Sequence, residues 1–321
     1  IERHFLSLGG TSYNCAGGET PWGTWVTCEE WTQEIDEDCA VSHGWCFEVP
    51  ADPAGRLSAP RRLPGLGRFR HEAVAVTPDG RVVYCTEDRP DGCLYRFLPE
   101  RAGDLAGPGR LQALHAIERR SLDSRNWASG AGVLVRPGDR FAVRWVDVDE
   151  VHAPKDDLRD RAFAAGAIRF ARCEGAWYGA ARGEGESPAV YIAATTGGPR
   201  ELGQLWTYRP SPYEGTARES EAPSTLELFV ESTDESLLKN CDNVVVAPWG
   251  DLFVCEDGAG PCGLVRVSPD GSMSRFALNV VDDGELAGAC FSPDGRWLFV
   301  NVHSYGATVA ITGPWERFRT G

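Results

Sequence analysis

The chain has 321 residues, 47 of them acidic and 32 basic, for a formal net charge of -15. That balance argues against nucleic acid or an anionic membrane as a partner, since both attract a positive footprint. No apolar run approaches the ~18 residues that a membrane-spanning helix needs. The first residue is Ile1 rather than Met, which leaves room for a lost N-terminal segment. Eleven cysteines are many for this length, and the pairs Cys39/Cys46, Cys85/Cys93 and Cys255/Cys262 are spaced for hairpin disulfides. Buried free thiols are the equal alternative, because free cysteine behaves as a small hydrophobe.

The first informative stretch runs from Asn14 to Glu30: a glycine-rich turn at Gly17-Gly18, a Pro21-Trp22-Gly23 turn, and an apolar strand that ends on Cys28-Glu29-Glu30. A thiol and two carboxylates on consecutive residues repel one another unless a cation neutralises them or they face water. In a strand Cys28 and Glu30 share a face and Glu29 points away. The same Pro-x-Gly turn followed by a short strand recurs at Pro78-Asp79-Gly80, Pro248-Trp249-Gly250 and Pro293-Asp294-Gly295. Proline presets one turn dihedral and glycine permits a positive φ at the other. In the last three copies a strand also precedes the turn (Ala73–Val76, Val244–Val246, Ala289–Phe291), which makes each a hairpin.

The turn glycines lie 57 residues apart from Gly23 to Gly80 and 45 apart from Gly250 to Gly295. Further strands are expected over Arg169–Tyr178, Val190–Thr196 and Gln204–Tyr208. Units of ~40–50 residues, each a small antiparallel sheet, are the signature of propeller blades, about six over this length; a large β-sandwich is the alternative, and the shared register of the repeats favours the propeller. The expected fold is therefore an all-β, six-bladed propeller with loop and short helical insertions, in a single domain over residues 1–321. Leu98–Glu150 fits the period poorly, with Trp145–Asp149 its only clear strand. A short helix is expected over Asp156–Ala165, and Arg209–Ser224 reads as an excursion between blades.

If the repeated strands are equivalent, their acidic ends gather near the propeller axis: Cys28-Glu29-Glu30, Glu87-Asp88 and Glu256-Asp257. Other acids stand beside strands, in His71-Glu72, Arg172-Cys173-Glu174, Asp242-Asn243 and Glu285. Hard oxygen ligands favour Ca²⁺ or Fe³⁺, and a thiolate favours a softer or transition metal. Arg172, two residues from Glu174, could clamp a phosphate beside a metal-bound carboxylate, or form an ion pair that holds a blade.

The stretch Asn14-Cys-Ala-Gly-Gly-x-Thr-Pro-Trp-Gly-Thr-Trp-x-Thr-Cys-Glu-Glu30 resembles the N-terminal hallmark of PhoX-type alkaline phosphatases. His71-Glu72-Ala73, Arg172-x-Glu174-Gly175, Asp242-Asn243, Gly288–Gly295 with Leu298–Asn301, and Ile311–Trp315 extend the likeness over nearly the whole chain. The resemblance implies a phosphomonoesterase, with diesters as a second substrate class, built around two ferric ions (Fe³⁺) and several calcium ions (Ca²⁺). Residue by residue it makes Cys28, Glu29, Glu72, Glu174, Asp242 and Glu285 the metal ligands. Arg172 and Glu174 become the catalytic residues, and Arg172 with Asn14 the substrate-binding ones. It further implies a small-molecule phosphate ester as partner, a monomer, and a periplasmic or secreted location. The phosphatases it resembles are longer, so substrate access is the least constrained feature. The competing expectations are a calcium-dependent lactonase-type propeller and a non-catalytic propeller stabilised by metal.

Overall fold

The structure, a computed structural model, describes residues 3–181 and 187–318. The chain folds as successive antiparallel sheets. The first holds β1 (Asn14–Glu19), β2 (Thr24–Glu29) and β3 (Cys46–Pro50). The second holds β4 (His71–Val76), β5 (Val83–Glu87), β6 (Leu94–Pro99) and β7 (Gly109–Ala116). Next come β8 (Arg140–Asp147) and the helix α1 (Leu158–Ala165). The third sheet is β9 (Cys173–Gly179), β10 (Ala189–Ala194), β11 (Gln204–Arg209) and β12 (Ser224–Glu231). The fourth is β13 (Cys241–Val246), β14 (Leu252–Glu256), β15 (Gly263–Val267) and β16 (Met273–Leu278). The fifth is β17 (Leu286–Phe291), β18 (Leu298–Val302) and β19 (Ala307–Ile311).

The fold is thus all-β with repeated hairpins: among the described residues five antiparallel units form, the first three joined into one 12-stranded sheet beside sheets of four and three strands, where the repeat length predicts about six units. The four turn glycines, Gly23, Gly80, Gly250 and Gly295, all have positive φ (80°, 66°, 103° and 66°), as the Pro-x-Gly turns require. In the poorly periodic region the structure has two strands rather than one. β7 closes the second sheet, and β8 pairs with both β7 and β12, joining the second and third sheets edge to edge. β7 alternates polar and apolar side chains over Arg110–Ala113, and the consecutive Ala113 and Leu114 break that alternation. The segment 210–223 links β11 to β12 inside one sheet rather than bridging two blades. Its Glu214 accepts hydrogen bonds from the Tyr84 and Tyr208 hydroxyls (3.1 and 2.7 Å). All eleven cysteines are free thiols, eight of them buried, so the hairpin-disulfide spacing is not used as such.

The first strand of each sheet lies beside the next in the order β1, β4, β9, β13, β17. Two glycines make this approach possible. A Cβ on Gly18 would lie 2.0 Å from the Val74 carbonyl oxygen, and one on Gly175 would lie 2.7 Å from the backbone of Asp242 and Asn243. The core fills the spaces between sheets, with Trp206, Tyr84, Phe97 and Phe253 fully buried. Each such burial contributes on the order of 2 kcal/mol. Among the described residues no helix is long and apolar enough to cross a membrane.

Candidate metal centre

The five neighbouring first strands carry the site. Their second residues are Cys15, Glu72, Glu174, Asp242 and Ala287. In every one of these strands the pairing register shifts just beyond that residue, between Cys15 and Gly18, His71 and Val74, Ala194 and Ile192 (opposite β9), Cys241 and Val244, and Ala287 and Cys290. A bulge bends its strand and re-aims the adjoining side chains. Here it occurs at the same step of each sheet and turns one residue per strand toward a common point.

Carboxylate oxygens of Glu72, Glu174 and Asp242 lie within 4.8 Å of one another, and all three residues are buried. A second group, Asp242, Asp257 and Glu285, meets the same limit, as does a third, Cys15, Glu30 and Glu72. Shared members make the three groups contiguous. The Cys15 thiol donates to Glu72 Oε1 at 3.2 Å, while Glu72 Oε2 is buried with no partner among the described residues. Burial, then repulsion from Asp242 and Glu30, pushes the Glu72 carboxyl well above its ordinary range. Glu174 is raised by burial and then by Glu72 and Asp242, and Asp242 by burial and then by Glu285 and Asp257. Glu30 is pushed up to about 8 by burial and by its hydrogen bond to Asp88.

Arg172 is a cation at the heart of this centre. Its Nε and Nη2 donate to the two Asp88 oxygens at 2.8 and 3.1 Å, and Nη2 also donates to Glu174 Oε1 at 2.6 Å. Asp88 and Glu174 raise the guanidinium pKa, against the opposing effect of burial. The backbone at Arg172 has φ 56°, in the left-handed region that side chains rarely occupy. It is held there by Arg172 N donating to the Arg89 carbonyl (3.0 Å) and Thr195 N donating to the Arg172 carbonyl (2.9 Å). Tyr13 and Asn240, which likewise precede their first strands, share this geometry with φ 48° each. Strain repeated at equivalent positions around one cluster belongs to the construction of the site.

The sequence-predicted residues divide. Glu72, Glu174, Asp242 and Glu285 come together, with Arg172 among them. Cys28 does not join them. It is fully buried, 3.5 Å from Cys46 Sγ, in a separate group with His71. The thiol at the acidic centre is Cys15. β2 ends at Glu29, so the alternation that would put Cys28 and Glu30 on one face does not carry through to Glu30. Glu29 is also elsewhere. Its Oε1 accepts from Ser12 N (2.9 Å) and His43 Nδ1 (2.7 Å), and its Oε2 from Gly44 N (2.8 Å) and Trp45 N (3.1 Å). Asn14 is exposed, donates to Thr27 Oγ1 at 3.0 Å and lines a groove with Phe5 and Trp25. Glu30, Asp88 and Asp257, expected near the axis from the repeats, do lie at the centre, Asp88 against Arg172; the candidate ligand not named was Cys15, which had a readable signal. It stands six residues before the turn proline Pro21, as Glu72 does before Pro78, Asp242 before Pro248 and Ala287 before Pro293.

The donor set fits cations. Oxygen donors predominate, one of them is a buried orphan, and among the described residues the carboxylates outnumber the guanidinium groups of Arg172 and Arg70 that act on them. Fold and site together define an all-β repeat protein with an acidic, arginine-bearing candidate metal centre at the meeting of its first strands. A profile of the family described as alkaline phosphatase PhoX matches residues 1–306, and the chain belongs to that family. Among solved structures it is similar to Pseudomonas fluorescens PhoX in complex with vanadate, a transition state analogue, at 22% identity and TM-score 0.65. That likeness covers 91% of this chain and 64% of the other, so the chain spans less than two thirds of that protein's length. A weaker similarity, at 12% identity and TM-score 0.41, reaches a Bacteroides uniformis structure over 89% of this chain and 63% of that one. No curated protein matches by sequence.

Proposed function

We propose that this chain is a metal-dependent phosphoric ester hydrolase acting on small phosphomonoesters, with diesters as a second substrate class. The observation that carries the reading is Arg172 fixed against Asp88 and Glu174 beside the Glu72–Glu174–Asp242 cluster. With Nε and Nη2 donating to Asp88 and Glu174, the guanidinium is fixed in its plane and would present Nη1 to the phosphoryl group. Cys15, Glu72 and Glu174 would hold ferric iron, since a thiolate among carboxylates suits a transition metal. Asp242, Asp257 and Glu285 would hold calcium, being all oxygen. When bound, the cations would supply Lewis acidity and offset phosphate charge. Arg172 would orient the phosphoryl group and stabilise the charge that develops on its equatorial oxygens. Membership of the PhoX family supports the same reaction class.

A closed six-bladed ring, a monomeric state and a periplasmic or secreted location complete the proposal. The arc of five first strands supports the ring. Metal analysis combined with a chromogenic phosphomonoester assay tests the function. Iron and calcium with turnover, inhibited by vanadate, is the expected result. Calcium without iron and without turnover would overturn it in favour of a lactonase-type or non-catalytic propeller.

A further inference from the structure

A second cluster of metal-binding groups lies outside the acidic centre. Cys28 on β2 and Cys46 on β3 are direct cross-strand partners, with their sulfurs 3.5 Å apart. His71, the first residue of β4, places a ring nitrogen within 4.8 Å of both sulfurs. All three residues are fully buried. His71 Nε2 donates to the Gly67 carbonyl at 2.9 Å, and this leaves Nδ1 as the nitrogen with a free lone pair. Nδ1 is buried and has no partner among the described residues. A carbonyl on the far nitrogen is the arrangement that fixes the tautomer and orientation of a metal-bound imidazole. The Phe69 ring stacked 3.6 Å from the imidazole holds it further.

We propose that Cys28, Cys46 and His71 form a second metal site, for a soft divalent cation of the zinc class, separate from the oxygen-rich centre. On binding, the two thiol protons leave to solvent and the two thiolates balance the dication, so the buried complex carries no net charge. Such a site would tie the first sheet to the second, because its ligands come from β2, β3 and β4. Donor chemistry would keep the two metal populations apart, with thiolate and imidazole at one site and mainly carboxylate at the other.

X-ray absorption at the zinc edge tests this on the intact wild-type protein, reduced and loaded with zinc alone. The expected result is one equivalent of zinc with two or more sulfurs at about 2.3 Å. The acidic centre can supply only the one sulfur of Cys15, so the sulfur count separates the two sites without a variant. With cobalt(II) as probe, a thiolate-to-metal charge-transfer band should persist in Cys15→Ser and be lost in Cys46→Ser. Zinc with one sulfur or none, loss of the band in Cys15→Ser, or a Cys28–Cys46 disulfide in protein isolated without reductant would each overturn the proposal.

Discussion

Glu29 and Glu30, Glu87 and Asp88, Glu256 and Asp257 are three pairs of adjacent acids at the ends of equivalent strands, and within each pair the two members have different roles. The first member is fully buried and accepts backbone N–H groups, although Glu87 Oε1 has no partner among the described residues and Glu256 also pairs with Arg275. Glu29 accepts from Gly44 N and Trp45 N just before β3. Glu87 accepts from Cys93 N (3.1 Å) just before β6, and Glu256 from Gly263 N (2.9 Å) at the start of β15. Each ties the loop leaving the second strand of its sheet to the strand that follows. The second member faces the centre, where Asp88 binds Arg172, Glu30 approaches Cys15 and Glu72, and Asp257 approaches Asp242 and Glu285. A buried carboxylate that N–H groups hold can stay paired without a metal, whereas carboxylates crowded by other acids call for a cation to offset their repulsion. Composition cannot distinguish the two; the surroundings do.

The contrast is open to direct attack. Replacing a centre-facing acid should have the largest effect: Glu72→Gln is expected to lower phosphomonoesterase turnover and bound iron together, by more than about 100-fold. Metal analysis and a chromogenic assay on the same preparation check this. Bound metal at the wild-type level with full turnover would remove Glu72 from the centre. Arg172→Lys comes next. A lysine keeps the charge but cannot hold the two Asp88 oxygens and a phosphate in one plane, so kcat/KM should fall by about 10²-fold. Metal content should be unchanged, which separates Arg172 from the ligands.

The backbone-tying acids should answer in the opposite way. Glu29→Gln puts an amide that is half donor opposite four donors, so stability is expected to drop by about 1–3 kcal/mol. Turnover per folded molecule should stay at the wild-type level. Denaturant unfolding beside the activity assay reads both quantities, and a catalytic defect without a stability defect would merge the two classes of acid.

Stripping the metal should expose a pH dependence that the loaded protein lacks. Glu30 titrates at about 8 in the fold against an ordinary 4.5, so between those values the folded state holds a proton that the unfolded state has lost. Stability of the chelated protein should therefore fall as pH rises from about 4.5 to about 8. The raised carboxyls of Glu72, Glu174 and Asp242 act in the same direction. Calcium should restore the loss at the alkaline end, as followed by thermal unfolding across that range. A chelated protein that gains stability over the range would contradict the mutual repulsion of these acids.

Much of the architecture was legible, because Pro-x-Gly turns and apolar strands recur at a nearly constant spacing. The site was legible for Glu72, Glu174, Asp242 and Arg172, which stand next to strands in motifs that match the family. It was misread at Cys28 for a specific reason. Alignment of the repeats on the strand after the turn singles out its end, which supplies Glu30 and Asp257 to the centre, whereas the thiol there, Cys15, projects from the strand before it. Counting six residues back from each turn proline gives Cys15, Glu72, Asp242 and Ala287, three donors and one gap. Glu285, two residues ahead of Ala287, reaches Asp242 and Asp257 instead. Arg172 and Glu174 have no Pro-x-Gly turn after them, and no count of this kind could have reached them. The bulges that aim all these residues leave no mark in composition.

Asn14 and Cys15 show the same division at the first strand, and they give the smallest predicted effect. They are neighbours, so they face opposite ways, and only Cys15 reaches Glu72. The Asn14 side chain is satisfied by Thr27 on the exposed face. Asn14→Ala should therefore leave KM for a phosphomonoester within about twofold and cost no more than about 1 kcal/mol of stability, the worth of one exposed hydrogen bond. Cys15→Ser, one residue on, should lower bound iron, because a hydroxyl is a far poorer ligand than a thiolate for a transition metal. The two variants lie 3.8 Å apart along the chain, so a general disturbance of β1 would affect both alike. If Asn14→Ala raised KM by tenfold while Cys15→Ser kept its iron, β1 would have to turn its other face toward the substrate.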